Sequence, residues 1–263
     1  MIQAGPARCS VLSPAAWAVP LAALVAFVLL AASGRNLELF LVLNGVSSAT
    51  GDALWANITV LGDTVVALAL CLPLWRRRPD LLWALALGGI LATAWVHGLK
   101  PWLDVARPPA VLGDAVHIIG PAARIRSFPS GHATTAFLVA GLLALGLASR
   151  LTAVVVLLVA LAAAVSRSVV GVHFPLDVLG GMFGGWLSAV AGLGLAHRFP
   201  APGRMPWLQG LLGLILAACA VALLAGHDGG YEQADWLLRA IAVAVLTAAS
   251  VALWREFRRK TDS

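Results

Sequence analysis

Long apolar runs separated by short polar segments dominate the chain. Eight of these runs contain 15 to 22 residues, and an α-helix needs about 20 apolar residues to cross the hydrocarbon core of a bilayer. The pattern therefore predicts an all-α fold, a polytopic membrane helical bundle. The predicted spans are Trp17–Ser33, Leu54–Trp75, Leu81–Leu99, Thr134–Ala148, Leu151–Val165, Leu176–Ala196, Trp207–Leu224 and Trp236–Trp254.

Composition supports this interpretation and excludes two other classes of protein. Of the 263 residues, 60% are hydrophobic and 11% are charged, and the mean hydropathy is +0.91. A soluble domain of this size needs polar side chains over much of its surface, and a disordered chain needs far more polar residues. The net charge of +6 comes from short clusters at the ends of apolar runs, which is typical of topology signals and predicts no nucleic-acid partner.

The distribution of basic residues predicts the orientation in the membrane. With the N-terminus in the cytoplasm, the inner segments carry 11 of the 18 basic residues, as the positive-inside rule requires. The 16 Arg against 2 Lys are typical of a GC-rich bacterial genome, so we expect the inner membrane of a bacterium. The inner basic residues are Arg8, Arg76, Arg77, Arg78, Arg150, Arg198, Arg204, Arg255, Arg258, Arg259 and Lys260.

Polar residues gather at the outer ends of four consecutive spans. The third span ends in KPWLDVARP, the fourth follows FPSGH, the fifth ends in SR and the sixth begins with GVHFPLD. Because the spans alternate in direction, these four ends can converge on one outer pocket, and clustered charges near a membrane usually mark function. The candidate residues are Lys100, Arg107, Ser130, Gly131, His132, Arg167, His173 and Asp177.

The cations of this cluster favour a phosphate as the ligand. Arg107 and Arg167 could each bind two phosphate oxygens through the guanidinium fork, while Lys100 supplies a point charge. Ser130 is placed to cap the fourth helix, so the backbone N–H groups of Gly131 and the next residue would point at the anion.

The two histidines add the groups that phosphoryl transfer requires. Asp177 follows His173 by four positions, so on a helix its carboxylate can hold one ring nitrogen as N–H and leave the other free to attack phosphorus. His132 would then protonate the leaving oxygen as a general acid. A zinc site formed by the same three side chains is the weaker alternative, because the nearby cations would repel the metal.

Three further residues are candidates for contacts with a second phosphate or the headgroup. Arg124 and Arg126 precede the PSGH element, and headgroup anchoring is the alternative for both. Asp63 lies inside the second apolar run, where an ionisable residue is a functional candidate. A local break of the helix near the membrane surface is the alternative for Asp63.

Taken together, three motifs resemble the signature of the type 2 phosphatidic acid phosphatase superfamily. They are K-x6-R-P at Lys100–Pro108, P-S-G-H at Pro129–His132 and S-R-x5-H-x3-D at Ser166–Asp177. The resemblance covers about Trp17–Ala196. It implies a six-span phosphatase core in residues 1–200 and says nothing about the rest of the chain. The apolar pattern predicts two additional transmembrane helices and a basic cytoplasmic tail in residues 201–263.

The resemblance also implies a mechanism. His173 is expected to form a covalent phosphohistidine, Asp177 to orient it and His132 to protonate the leaving group. No metal or cofactor is implied, and the expected substrate is a lipid phosphate of the undecaprenyl pyrophosphate or phosphatidylglycerophosphate class, taken from the outer leaflet. The residues expected to bind its phosphate are Lys100, Arg107, Ser130, Gly131 and Arg167.

Two alternatives stay open. A lipid phosphotransferase would use the same covalent intermediate with a hydroxyl acceptor in place of water. A non-enzymatic lipid or ion transporter could use the basic cluster as a binding station, although it has no need of the paired histidines. The sequence leaves the identity of the lipid and the oligomeric state undetermined.

Overall fold

The computed structural model describes residues 13–147 and 149–261, and these form α-helices and short 3-10 helices with no β-strand. The predicted all-α fold is confirmed. Arg8 and Ala148, which entered the predicted topology, lie outside the described residues.

The α-helices are numbered in chain order. Seven of them, α1, α6, α8, α9, α10, α12 and α13, have 16 or more residues, and the other six are short. The bounds are α1 (Pro14–Ser33), α2 (Asn36–Asn44), α3 (Ser47–Thr50), α4 (Asp52–Thr59), α5 (Thr64–Cys71), α6 (Pro79–Leu103), α7 (Pro108–Leu112), α8 (Gly131–Gly146), α9 (Arg150–Val169), α10 (Pro175–Arg198), α11 (Pro200–Gly203), α12 (Pro206–Leu224) and α13 (Asp235–Thr261). The 3-10 helices are Val60–Gly62, Leu72–Leu74, Gly113–Ala115 and Glu232–Ala234.

Six helical segments within the described part of the chain are long and apolar enough to cross a membrane. The protein is therefore a multi-pass membrane protein, as the pattern of apolar runs predicts. The six segments are Ala16–Ser33, Pro79–Ala115, Arg150–Val169, Pro175–Arg198, Pro206–Leu224 and Glu232–Arg258.

The second predicted span, Leu54–Trp75, is wrong as a continuous helix. The segments Asp52–Gly62 and Thr64–Leu74 meet at an angle of 64°. The break lies at Asp63, which has an extended backbone and accepts hydrogen bonds from the N–H groups of Val65 and Val66. Because its carboxylate caps a new helix, the apolar run contains two helices, and it crosses the membrane only if the bent pair counts as one span.

The fourth predicted span is a short helix. Helix α8 has 16 residues and is about 24 Å long at 1.5 Å per residue, against a hydrocarbon core of about 30 Å. Helix α8 is therefore shorter than the thickness of the hydrocarbon core.

Helix α10 lies at the centre of the bundle and packs against α1, α6, α8 and α9. A glycine face allows its close approach to α8. A Cβ atom at Gly181 would lie 2.5 Å from the carbonyl oxygen of Ser130, so only glycine fits there. This approach brings the start of α10 against the start of α8. Helices α12 and α13 pack against α5 on another side of the bundle.

Candidate active site

The start of α10 holds His173 and Asp177 together. Pro175 occupies the first turn of the helix, and Oδ2 of Asp177 accepts a hydrogen bond of 2.8 Å from the backbone N–H of Phe174. The same oxygen lies 3.4 Å from Nδ1 of His173. The two side chains are 3% and 4% exposed, so the imidazole and the carboxylate meet away from bulk water, as the spacing in the sequence predicts.

Ser127 contacts both His173 and Asp177, and the sequence motifs did not predict these contacts. Its fully buried hydroxyl donates a hydrogen bond to Oδ2 of Asp177 and lies 3.3 Å from Nδ1 of His173. A serine directly before the Phe-Pro of the PSGH element is the signal that was present in the sequence. The hydroxyl fixes the carboxylate in the position that faces the imidazole.

Arg107 contacts the opposite edge of the ring. Its Nη1 lies 3.2 Å from Nε2 of His173, and the guanidinium also donates to the carbonyls of Ile125 and Val172. Because a guanidinium can only donate, Nε2 must carry a lone pair, and the ring proton of the neutral histidine then lies on Nδ1 toward Asp177. Nε2 is therefore the unprotonated atom of the ring, and its lone pair faces Arg107.

The surroundings keep this imidazole neutral. Burial lowers the pKa of His173 well below its ordinary value of 6.5, and the positive charges of Arg107, Arg167 and Lys100 lower it further. Nε2 therefore stays unprotonated at neutral pH, which is the state in which an imidazole can act as a nucleophile. The same interactions show that all three predicted cations lie within electrostatic range of one ring.

Ser130 begins α8 as predicted. It is fully buried, and its hydroxyl accepts a long hydrogen bond of 3.4 Å from the N–H of Ala133. The next two residues, Gly131 and His132, are half-buried in the first turn. The imidazole of His132 interacts electrostatically with His173 and with the three cations, so the second histidine lies at the same site.

Arg167 is held from one side of its guanidinium. The side chain is buried, and Nη1 donates to the hydroxyls of Thr59 at 2.6 Å and Tyr231 at 2.9 Å. Its Nε is buried without a hydrogen-bond partner among the described residues. Neither hydroxyl was predicted, since Thr59 lies in the second apolar run and Tyr231 beyond the signature motifs.

The additional candidates are placed differently. The side chains of Arg124 and Arg126 are exposed on the segment that leads into Ser127. The carboxylate of Asp63 accepts from the first turn of α5 and lies 3.1 Å from Nε2 of His227. These contacts agree with the local-break alternative for Asp63.

The zinc alternative finds no support in the arrangement of ligands. Within residues 13–147 and 149–261, no group of three or more His, Cys, Asp or Glu side chains is placed to hold a metal ion. His132, His173 and Asp177 therefore do not form such a group.

Comparisons with known proteins identify the family of the chain. A family profile described as the PAP2 superfamily matches residues 79–200. The solved structure of Aquifex aeolicus LpxE is 31% identical, covers 60% of this chain and 94% of its own, and superposes with a TM-score of 0.55. No curated protein sequence matches the chain significantly.

A second solved structure supports the fold alone. It is the first transmembrane PAP2-type phosphatidylglycerolphosphate phosphatase from Bacillus subtilis, which is 23% identical, with a TM-score of 0.51 over 69% of this chain and 97% of that one. With the identity to LpxE and the profile match, the chain belongs to the PAP2 superfamily of membrane phosphatases and is a phosphoric monoester hydrolase.

Proposed function

We propose that this phosphatase hydrolyses a lipid phosphate monoester or pyrophosphate, of the undecaprenyl pyrophosphate or phosphatidylglycerophosphate class, through a phosphohistidine and without a metal. The observation that carries the proposal is the two-sided environment of His173. Nδ1 lies 3.4 Å from Asp177 while Nε2 lies 3.2 Å from Arg107. A neutral imidazole held in this way presents a lone pair where cations would hold a phosphate.

The first half-reaction forms a nitrogen–phosphorus bond. The Nε2 lone pair of His173 attacks phosphorus, and the bond from phosphorus to the lipid oxygen breaks. His132 donates a proton to that leaving oxygen, and Asp177 stabilises the positive charge that develops on the attacking ring. The lipid alcohol or lipid monophosphate then leaves.

The second half-reaction restores the enzyme. His132, now neutral, accepts a proton from a water molecule whose oxygen attacks the phosphorus. The nitrogen–phosphorus bond breaks, its electron pair returns to Nε2 of His173, and inorganic phosphate leaves. Phosphate monoesters hydrolyse extremely slowly without a catalyst, so splitting the reaction into two steps lowers a large barrier.

The phosphate oxygens are assigned to the surrounding donors. Arg107, Arg167 and Lys100 face the charge that develops on these oxygens, and such fixed charges in a water-poor site stabilise a transition state strongly. The backbone N–H groups of Gly131 and His132 at the start of α8 add to this stabilisation. Arg124 and Arg126 are exposed on the segment that precedes Ser127, where a second phosphate or a headgroup would contact them.

The proposed setting is the inner membrane of a bacterium, with the N-terminus in the cytoplasm and the active site facing the outside. The charge distribution of the loops supports this orientation. In this proposal residues 1–200 form the phosphatase core, and residues 201–263 add two helices and a basic cytoplasmic tail. A lipid of the outer leaflet would then bring its phosphate to the start of α8 without leaving the membrane.

The test is phosphate release by the purified protein in detergent with a chelator. Undecaprenyl pyrophosphate, phosphatidylglycerophosphate and phosphatidic acid are compared with no added acceptor, and the His173→Ala variant is measured in parallel. His197→Ala is the matched control because His197 is exposed at the opposite end of α10. We expect release that His173→Ala abolishes and His197→Ala preserves, together with an acid-labile phosphoryl group trapped on the wild-type protein. Full activity of His173→Ala would refute the mechanism.

A further inference from the structure

We propose that Tyr231, in the loop between the two C-terminal helices, is a positioning residue for phosphate binding. The signature residues of the site all lie within the segment that matches the PAP2 profile, residues 79–200. Tyr231 would act through Arg167, and the inference rests on the proposed role of Arg167 as a phosphate ligand. It gives the last two helices a part in the reaction, which the family resemblance leaves without a role.

The hydrogen bonds to Arg167 determine which edge of its guanidinium is available. The Tyr231 hydroxyl accepts from Nη1 at 2.9 Å, and Thr59 accepts from the same nitrogen at 2.6 Å. Cζ of the arginine lies 5.9 Å from the centre of the tyrosine ring. Since Nε is buried without a partner among the described residues, Nη1 is anchored and the edge that carries Nε is left for the phosphate.

Both acceptors on Nη1 of Arg167 are neutral hydroxyls, which suits an arginine that binds phosphate. A carboxylate behind the guanidinium would also fix its position, but it would neutralise much of the charge that a phosphate needs. Neutral hydroxyls satisfy the hydrogen bonds of Nη1 and leave the positive charge uncompensated. Arginine has a long flexible stem, so fixing its orientation before the substrate arrives reduces the entropy lost on binding.

The tyrosine ring is fixed by the loop that precedes the PSGH element. Tyr231 is 2% exposed, and a Cβ atom at Gly120 would lie 2.5 Å from its ring. Gly120 has a φ of +81°, and Gly230, at +86°, lies directly against Pro121. Two glycines in left-handed conformations therefore allow the loops around residues 120 and 230 to interlock.

The loop between α12 and α13 has a second attachment beside the site. His227 lies 3.1 Å from the carboxylate of Asp63. Gly62, which precedes Asp63 in the chain, packs against His132, since a Cβ atom at Gly62 would lie 3.1 Å from His132. Tyr231 also belongs to the buried apolar cluster that includes Val170 and Val172. These contacts fix the loop that carries Tyr231 beside the site.

The test uses Tyr231→Phe, which keeps the ring against Gly120 and removes only the hydroxyl. We expect kcat/KM for the lipid phosphate to fall about tenfold, as for the loss of one hydrogen bond to a charged group. Inhibition by vanadate, which mimics five-coordinate phosphorus, should weaken by a similar factor. Thr59→Val should reproduce both changes, whereas Trp236→Phe, an exposed aromatic residue at the start of α13, should change neither.

Combining Tyr231→Phe with Arg167→Lys separates positioning from a general effect on structure. An ammonium cannot reproduce the guanidinium geometry, so in this background the removal of the hydroxyl should cost less than about twofold. The inference is overturned if Tyr231→Phe retains wild-type kcat/KM, or if the hydroxyl matters equally in the Arg167→Lys background. The proposed phosphohistidine mechanism fails separately, through an active His173→Ala variant.

Discussion

Replacing Ser127 with alanine tests the hydrogen bond that holds the carboxylate of Asp177 against His173. The hydroxyl is fully buried and is one of three groups around Oδ2 of Asp177, together with the N–H of Phe174 and the imidazole. Alanine fits the same space, so the substitution removes a hydrogen bond with little change in packing. We expect the carboxylate to become less well oriented and the attack of Nε2 to slow.

The magnitude follows from the charge of the acceptor. A hydrogen bond to an ionised group contributes about 1.5–3 kcal/mol, and about 1.4 kcal/mol corresponds to a factor of ten in rate. The expected loss in kcat is therefore about 10- to 150-fold. KM should change far less, because Ser127 contacts the catalytic pair and has no assigned contact with the phosphate.

The assay is steady-state phosphate release, with the stability of each variant measured by thermal unfolding in the same detergent. Ser188→Ala is the matched control, since Ser188 is 5% exposed and its hydroxyl donates to the carbonyl of Gly184 within α10. It should lose comparable stability and keep its kcat. The reasoning is refuted if Ser127→Ala keeps kcat within about twofold of wild type, or if the control loses as much activity.

Three further predictions concern pH, packing and metals. Because burial and nearby cations lower the pKa of His173, kcat/KM should stay high as the pH falls through 6.5 and decline only at lower pH. Arg107→Leu removes the strongest of the charge effects on that ring, so in this variant the decline should begin at higher pH. An unshifted pH profile would contradict the assignment. Gly181→Ala should lower the free energy of unfolding by about 1–3 kcal/mol through overpacking, as measured by denaturation in detergent, whereas Gly194→Ala in the same helix has open space around the new Cβ and should not. Dialysis against a chelator should leave phosphate release unchanged, and a loss that zinc restores would contradict the proposed metal-free mechanism.

The sequence predicted the parts of the site that depend on local structure. Asp177 lies in the first turn of α10 and caps it by accepting from the N–H of Phe174, the residue after His173. Ser130 precedes an apolar helix, so both relationships follow from helix capping. The all-α fold follows from the long apolar runs. These features need no knowledge of how distant segments pack.

The remaining contacts join positions that are far apart in the chain. Ser127 is 50 positions from Asp177, Thr59 is 108 from Arg167, and Tyr231 is 64 from Arg167. Hydropathy does not report such pairs, because each hydroxyl is isolated in its own segment. Apolar content also conceals the bend at Asp63, since one side-chain cap ends a helix that the surrounding residues would otherwise continue.

The contact of Tyr231 with Arg167 has a consequence for biosynthesis. The ribosome synthesises the chain from the N-terminus, so the segment that matches the PAP2 profile, residues 79–200, leaves the ribosome before Tyr231 does. Before Tyr231 emerges, Thr59 is the one hydrogen-bond acceptor available to Nη1 of Arg167 among the two that the structure describes. In the proposed mechanism, the nascent enzyme therefore acquires its full phosphate-binding geometry only when its last helical pair has inserted.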